Sequence, residues 1–455
     1  MVFESFFFGV MLWCLLSMFL EKTYNGMCYV QYWRIIFVYM IAFLTKAVLL
    51  VSEGCHSHLS AVFNNDHLST TKRHQIRNSE YVYRVTNFSQ VYHMLQIKAN
   101  WFRYVKFLPE ELLPTLWSND EKKLLVGTTL LPAVEAKLRR LEHEYNDIRN
   151  ATQSIEWCQT HWWGDGTGVL SFGDWLQIDA TYRSRVVKFP PTDAGTDCMI
   201  PCIDMLNHAD NTIPAAFYEM DNDGNALLRL QNDFYIDEGC EVTITYGVSR
   251  TACEILYSYG FIEMKMSSAK GLFLDLAVSN NDPLGTLKGR IFEVRGVKLL
   301  EKDGHIEWSG DFVWLLCVNE EDGLSLLPPS GDYREPKMLW KGTPEEDPSK
   351  LRRHLELDFK MWEIYQLRAI NLIQERIELQ LSTLEEVEVG RVPHGDEMPV
   401  RHRCWELAVK LRELESKLLK QARAQMNRQT RDLLGSNNVQ RYLARNGTGG
   451  EEEVT

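Results

Sequence analysis

The stretch CIDMLNHADN, residues 202–211, decides how this chain is read. An apolar run, Met199-Ile200-Pro201-Cys202-Ile203, gives way to Asp204 and then to Asn207-His208. A strand end that offers an Asp, an Asn and a His in close succession is suited to holding a ligand. The competing reading is a strand followed by an Asn-capped turn, because Asn bonds its own backbone and tolerates turn conformations. The stretch by itself leaves both readings open.

The flanking sequence is short-stranded and β-rich. Residues 214–220 and 226–231 border Asp221-Asn222-Asp223-Gly224-Asn225, whose Asp-Gly pair predicts a hairpin turn. A calcium loop starting at Asp221 would need Glu at its twelfth position, where the chain has Asn232. In Glu241-Val-Thr-Ile-Thr-Tyr-Gly247 the alternation puts Val242, Ile244 and Tyr246 on one face and Thr243 and Thr245 on the other. Tyr246, stopped by Gly247, is placed to point into a pocket; a core tyrosine with a satisfied hydroxyl is the alternative. Residues 250–259 predict a helix ending at Gly260 as its C′ residue.

Upstream the material is helical. Ser118-Asn119-Asp120-Glu121 is a capping-box signal, and residues 121–160 carry Leu131, Val134, Leu138 and Leu141 at helical spacing. His161-Trp162-Trp163-Gly164-Asp165-Gly166-Thr167-Gly168 fails as a phosphate loop, since no strand precedes it and the glycine spacing is wrong. A short helix over 172–184 follows, ending in Tyr182-Arg183-Ser184-Arg185.

Composition narrows the function. The chain has 455 residues, which predicts more than one domain. With 45% hydrophobic and 24% charged residues it is globular in type. A formal net charge of −13 argues against a general nucleic-acid binder and is compatible with a basic protein partner. Ten cysteines without a C-x-x-C pair point away from a structural zinc site or a disulfide scaffold, so no metal is expected. Reduced cysteines in an intracellular protein are the simplest account. The N-terminus adds two apolar segments, 5–20 and 33–52, the second near the ~20 residues a membrane span needs. A hairpin in the membrane, a single anchor and wrongly assigned coding sequence are three readings of them.

In this order and spacing, SRVVKFP, IPCIDMLNHADN, EVTITYG and EILYSYGFIE resemble the second half of a SET domain. More narrowly, the set is similar to the Rubisco large-subunit lysine methyltransferase class, whose helical insert WFRYVKFLPEELLPTLWSNDEKKLLVGTTLLPAVEAKL also resembles. The resemblance implies an α+β chain: a β-rich SET fold with a helical insert, followed by an all-α substrate-binding domain. Its divisions are 1–94, a hydrophobic leader; 95–262, the SET domain; and 263–455, a helical substrate-binding-like domain with an acidic tail. It implies S-adenosyl-L-methionine as cofactor, bound by Asn207 and His208. Tyr246 is implied as the catalytic tyrosine, and Arg185, Asp204, Tyr218 and Tyr259, with Tyr246, as contacts of the lysine substrate.

The glycine motif G-x-G of the class's first SET strands is not found in residues 1–95, and Lys188 stands out of register for a basic residue expected after Arg185. The expected activity is lysine N-methylation of a non-histone protein, ribosomal or other, without direct nucleic-acid binding. A non-catalytic SET-fold scaffold and a histidine-directed methyltransferase are the alternatives. Location is expected to be cytoplasmic or nuclear, with membrane association only through residues 5–52. Beyond 262, helices are predicted over 350–385, with Leu355, Phe359, Trp362 and Ile364 toward a core, and over 401–434. Residues 389–399 predict a loop, and 447–455 a disordered acidic end.

Overall fold

The computed structural model describes residues 108–154, 159, 163–164, 170–192, 195–209, 213–232, 235–328, 336–386 and 400–446. The readings made on 1–94, on the 101–107 start of the insert, on most of 161–168, on 389–399 and on 447–455 lie outside them. Among the described residues no helix is long and apolar enough to cross a membrane. They fall into two compact units, one holding 108–116 and Glu135–Tyr246, the other Trp117–Val134 and 247–446.

The first unit is built on two helices, α1 (Leu130–Thr152, whose first residues count with the second unit) and α2 (Phe172–Arg185). Ser171 caps α2 in a capping box with Asp174, satisfying orphan amides at its start. Leu141, Trp163, Leu170, Trp175 and Ile178 form the apolar core here, with Tyr145 edge-on to Trp163 at 5.8 Å. The polar side of α2 is fixed by charge. Lys137 Nζ meets Asp179 at 2.6 Å, and Arg183 bonds both Asp179 and the Thr115 hydroxyl.

Short strands follow. β1 (Val187–Phe189) pairs antiparallel with β2 (Thr196–Cys198). β3 (Asn207–His208) pairs in parallel with β6 (Thr243–Ile244), and between them β4 (Ala216–Met220) and β5 (Ala226–Leu230) form an antiparallel hairpin beside β6. Asp221 closes that hairpin: its Oδ1 accepts from the amides of Asp223 and Asn225 at 2.9 and 2.7 Å. Gly224, at φ 83°, takes the left-handed turn position.

In the second unit α3 (Ala252–Tyr259) opens on a Thr251–Glu254 capping box and stops at Gly260, which is left-handed at φ 75°. The helical expectation holds from Leu351 onward. Ahead of it the chain folds into two three-stranded antiparallel sheets. The first is β7 (Gly271–Asp275), β8 (Gly296–Lys302) and β9 (His305–Ser309), with α4 (Gly285–Ile291) between β7 and β8. After α5 (Asp311–Leu316) comes the second, β10 (Leu324–Leu327), β11 (Lys337–Trp340) and β12 (Thr343–Glu345). In place of the predicted single helix over 350–385, α6 (Leu351–Glu356) and α7 (Trp362–Glu386) are separated by a turn. Phe359 sits on that turn and is 80% exposed, whereas Leu355 and Ile364 are buried as expected. The Asp358 amide drops back to the Leu355 carbonyl as α6 ends, and the Asp358 carbonyl accepts from Met361 and Trp362 as α7 begins.

α8 (His402–Leu434), followed by α9 (Asn437–Asn446), runs antiparallel to α7, as the pairs Gln374–Asn427 and Glu378–Arg423 and the bond from Arg412 to Leu384 O require. Their facing apolar stripe, Ile370, Ile373, Ile377 and Leu381 against Leu411, Leu414, Leu418 and Ala422, is the core of this unit. The 124–129 turn is buckled onto both helices. Arg412 donates to the carbonyls of Leu124, Val126 and Leu384, and Gln380 to that of Gly127. Gly127 lies at φ 84°, and a Cβ there would stand 2.8 Å from the Thr383 carbonyl oxygen, so only glycine fits.

Glu415 is 0% exposed beneath this turn, accepting from the Thr129 amide and hydroxyl at 3.0 and 2.5 Å. Burial pushes its carboxyl up to about 7, against the opposing Thr129 hydrogen bonds and the Arg412 charge. The folded protein therefore holds this proton more tightly than the unfolded chain. The stability it confers is present below the ordinary 4.5 and is lost as pH climbs to about 7. Glu415→Gln, neutral throughout, should gain on the parent by roughly 3 kcal/mol between about pH 5 and pH 8 in urea unfolding. An offset that does not change with pH would show that Glu415 does not titrate there.

Candidate functional site

The parallel pairing of β3 and β6 creates the site. Asn207 stands opposite Thr243 and His208 opposite Ile244. Strand alternation then puts His208 on the side of Ile244 and Tyr246, and Asn207 on the side of Thr243 and Glu241. The contacts agree. The His208 and Tyr246 rings stack at 5.3 Å and 25°, and the Asn207 Nδ2 donates to Glu241 Oε1 at 2.5 Å.

Tyr246 is held at two points. Its backbone N–H donates to His208 Nδ1 at 3.1 Å, and its phenol hydroxyl donates to the Leu206 carbonyl at 2.7 Å. With Nδ1 accepting from that N–H, Nε2 is the ring nitrogen left to donate. A phenol that gives its hydrogen to a carbonyl is held protonated and in one orientation. Gly247, at φ 122°, lets the chain leave immediately after the tyrosine.

The support beneath β3 comes from Asp204 and Arg185. Ile203–Met205 is a single 3-10 turn entered through Cys202, whose φ of 74° is rare for a residue with a side chain and costs of order 1–3 kcal/mol. That strained turn is clamped by Arg185, 8% exposed, whose Nη1 donates to the Asp204 carbonyl at 3.0 Å. Arg185 Nη2 reaches Glu111 Oε1 at 2.6 Å. Asp204 is itself buried, with its amide bonded to Ile200 O at 2.9 Å. Both residues are thus built into the floor of the site.

The structure brings Arg185, Asp204, Asn207, His208 and Tyr246 together on and around one small ribbon. Tyr218 lies on β4, opposite Leu228 and beside that ribbon. Tyr259 ends α3 in the second unit, where Arg250 lies 5.4 Å over its ring and burial pushes its phenol up. Glu111 and Glu241 were missed from sequence. Glu241 leads EVTITYG, and only the knowledge that Thr243–Ile244 runs parallel to Asn207–His208 would have pointed it at Asn207. Among the described residues no group of three or more His, Cys, Asp and Glu side chains is arranged to hold a metal.

This architecture defines a SET fold. A crystal structure of the SET domain of LSMT bound to methyllysine and AdoHcy matches with a TM-score of 0.52 at 19% identity, covering 77% of this chain and 76% of that one. In sequence, SET domain-containing protein 8 of Schizosaccharomyces pombe is 26% identical over 234 residues, half of this chain and half of that protein. The chloroplastic [fructose-bisphosphate aldolase]-lysine N-methyltransferase of Arabidopsis thaliana is 24% identical over 193 residues, 41% of this chain and 38% of that protein. The chain thus spans half or less of the length of the curated relatives it matches. No family model matches it. The chain has the fold of the LSMT SET domain, and the proteins it resembles in sequence are a SET domain-containing protein and a protein-lysine N-methyltransferase.

Proposed function

We propose that this protein is an S-adenosylmethionine-dependent methyltransferase that modifies a lysine of a non-histone protein. The observation that carries the reading is the tethered Tyr246, fixed by Leu206 and His208 beside the Asn207-His208 pair on a SET fold. The donor set fits the cofactor. Asn207 and Glu241 offer acceptors for its ammonium and amino groups, and the stacked aromatic rings of His208 and Tyr246 suit a cation. Bound there, S-adenosylmethionine supplies a sulfonium methyl group for in-line displacement by a neutral amine.

The chain's own residues prepare the amine. A lysine titrates near about 10.4 in water, so the site must desolvate it and hold it deprotonated and aligned. Tyr246, having given its hydrogen to Leu206, presents its oxygen as an acceptor for an amine N–H. It orients the nucleophile and does not act as a phenolate base. Arg185 and Asp204 keep the turn beneath it in place, and Tyr218 supplies an aromatic wall on the β4 side.

Calorimetric titration of the full chain with S-adenosylmethionine tests the reading. Saturable binding is expected, with Asn207→Ala weakening it by about 1–3 kcal/mol because buried partners of the bound cofactor lose their mate. No heat at high cofactor concentration favours the non-catalytic scaffold. Unchanged affinity in Asn207→Ala removes that residue from the cofactor site.

A further inference from the structure

The bond between Asn207 and Glu241 has a consequence for how the site reads its ligand. A carboxamide has a donor end and an acceptor end of almost the same shape, and a half-turn of χ2 exchanges them at little cost. A carboxylate can only accept. With Glu241 Oε1 2.5 Å from Nδ2, the amide must direct its nitrogen toward Glu241 and its Oδ1 the other way. Both side chains are exposed, so an isolated surface hydrogen bond of this kind contributes little to folding. Its value lies in orientation.

We infer that Glu241 is a positioning residue for the cofactor site: it locks the Asn207 carboxamide with its oxygen presented, so that the site selects a hydrogen-bond donor on the ligand. This rests on the reading of Asn207 as a cofactor-binding residue. The geometry behind it is local and rigid. Asn207 is paired opposite Thr243 in the parallel ribbon, and Glu241 precedes Thr243 by one alternation on the same face. Asn207 is held by the ribbon that also carries His208, and Glu241 lies two residues before the strand paired with it. The donors this site selects are the ammonium of the cofactor's amino-acid portion and the amino group of its base. Both are present before and after methyl transfer, so Glu241 should matter equally for cofactor and by-product.

Positioning and direct charge attraction make different predictions. A glutamine at 241 carries no charge and can either accept from Asn207 Nδ2 or donate to its Oδ1, so it releases the lock as well as the charge. If Glu241 acts through Asn207, Glu241→Ala and Glu241→Gln should each cost nothing further once Asn207 is alanine. If it acts on the ligand's positive charge, both should weaken binding in that background as they do in the parent.

The experiment is calorimetry on the full chain with S-adenosylmethionine and, separately, S-adenosylhomocysteine, with the thermal midpoint of each unliganded variant as the fold control. Glu241→Ala is expected to raise both dissociation constants about tenfold, the scale of a lost orienting hydrogen bond, with the midpoint unchanged. Glu241→Gln, which no longer fixes the amide's orientation, should fall between the parent and Glu241→Ala. In an Asn207→Ala background, Glu241→Ala should add nothing further, because the residue it positions is gone. Parent-like binding in Glu241→Ala, or an additive loss in the double variant, overturns the inference while leaving the cofactor reading intact. A parent chain that binds neither compound overturns both.

Discussion

Tyr246→Phe is expected to lower methyl transfer by roughly 10²-fold or more while leaving cofactor affinity within about twofold, the usual signature of a polar contact made only during reaction. The substitution removes one oxygen. With it goes the bond to Leu206, 2.7 Å in the parent, which costs about 1 kcal/mol of stability. The ring remains stacked on His208, and the backbone N–H still meets Nδ1, so the fold and the Asn207 side of the ribbon stay as they are. What is lost is the acceptor that aligns the incoming amine. Single-turnover rates with saturating cofactor, paired with calorimetry, separate the two. Parent-like turnover in Tyr246→Phe would remove the tyrosine from the reaction.

The second large effect falls on folding. Glu121→Ala should destabilise the second unit by about 3 kcal/mol, summing a lost cap and charge-assisted bonds to a buried carboxylate. Glu121 is 1% exposed and does two jobs at once. It closes the capping box with Ser118 at the start of Asn119–Lys123, and it accepts from the Arg401 backbone and guanidinium at 2.9, 2.7 and 2.6 Å. Burial alone would push its carboxyl up. The Arg401 and Ser118 hydrogen bonds and the Arg401 charge override that and hold it at about 2. The stability this confers is present above the ordinary 4.5 and is lost as pH falls toward about 2. Arg401 is half exposed, so water can receive its charge once Glu121 is gone, which keeps the cost below that of a fully buried pair. Urea unfolding near neutral pH measures it, and a change under about 0.5 kcal/mol would mean that the clamp is not formed in solution.

Much of this was legible where a local rule is strong. Ser118-x-x-Glu121 announced a capping box, Asp221–Asn225 a hairpin, and Gly260 a helix end, because each is a short-range hydrogen-bond or backbone requirement. The apolar spacing of 402–434 gave the long helix α8 almost to its ends. The β-sheets of residues 271–345 were not legible. Their strands are short, and a brief apolar run such as Leu324–Leu327 does not reveal a partner that begins ten or more residues on.

The site divides in the same way. Asn207, His208 and Tyr246 stood out by residue type and order, but the pairing that joins them is parallel and long-range, with a whole hairpin between its strands. Arg185 shows the limit most clearly: the resemblance implied a substrate contact, and only the fold reveals that its guanidinium spans Glu111 and the Asp204 carbonyl. A role as a direct substrate contact now has to coexist with that clamp.

The central claim is methyl transfer to lysine, and one measurement meets it directly. The full chain is incubated with S-adenosylmethionine labelled in its methyl group and with cell protein from which endogenous methylation has been depleted, and the protein is then hydrolysed and its amino acids separated. The account predicts label in methyllysine that disappears with Tyr246→Phe. Label in methylhistidine, or a chain that binds the cofactor and transfers nothing, would contradict it.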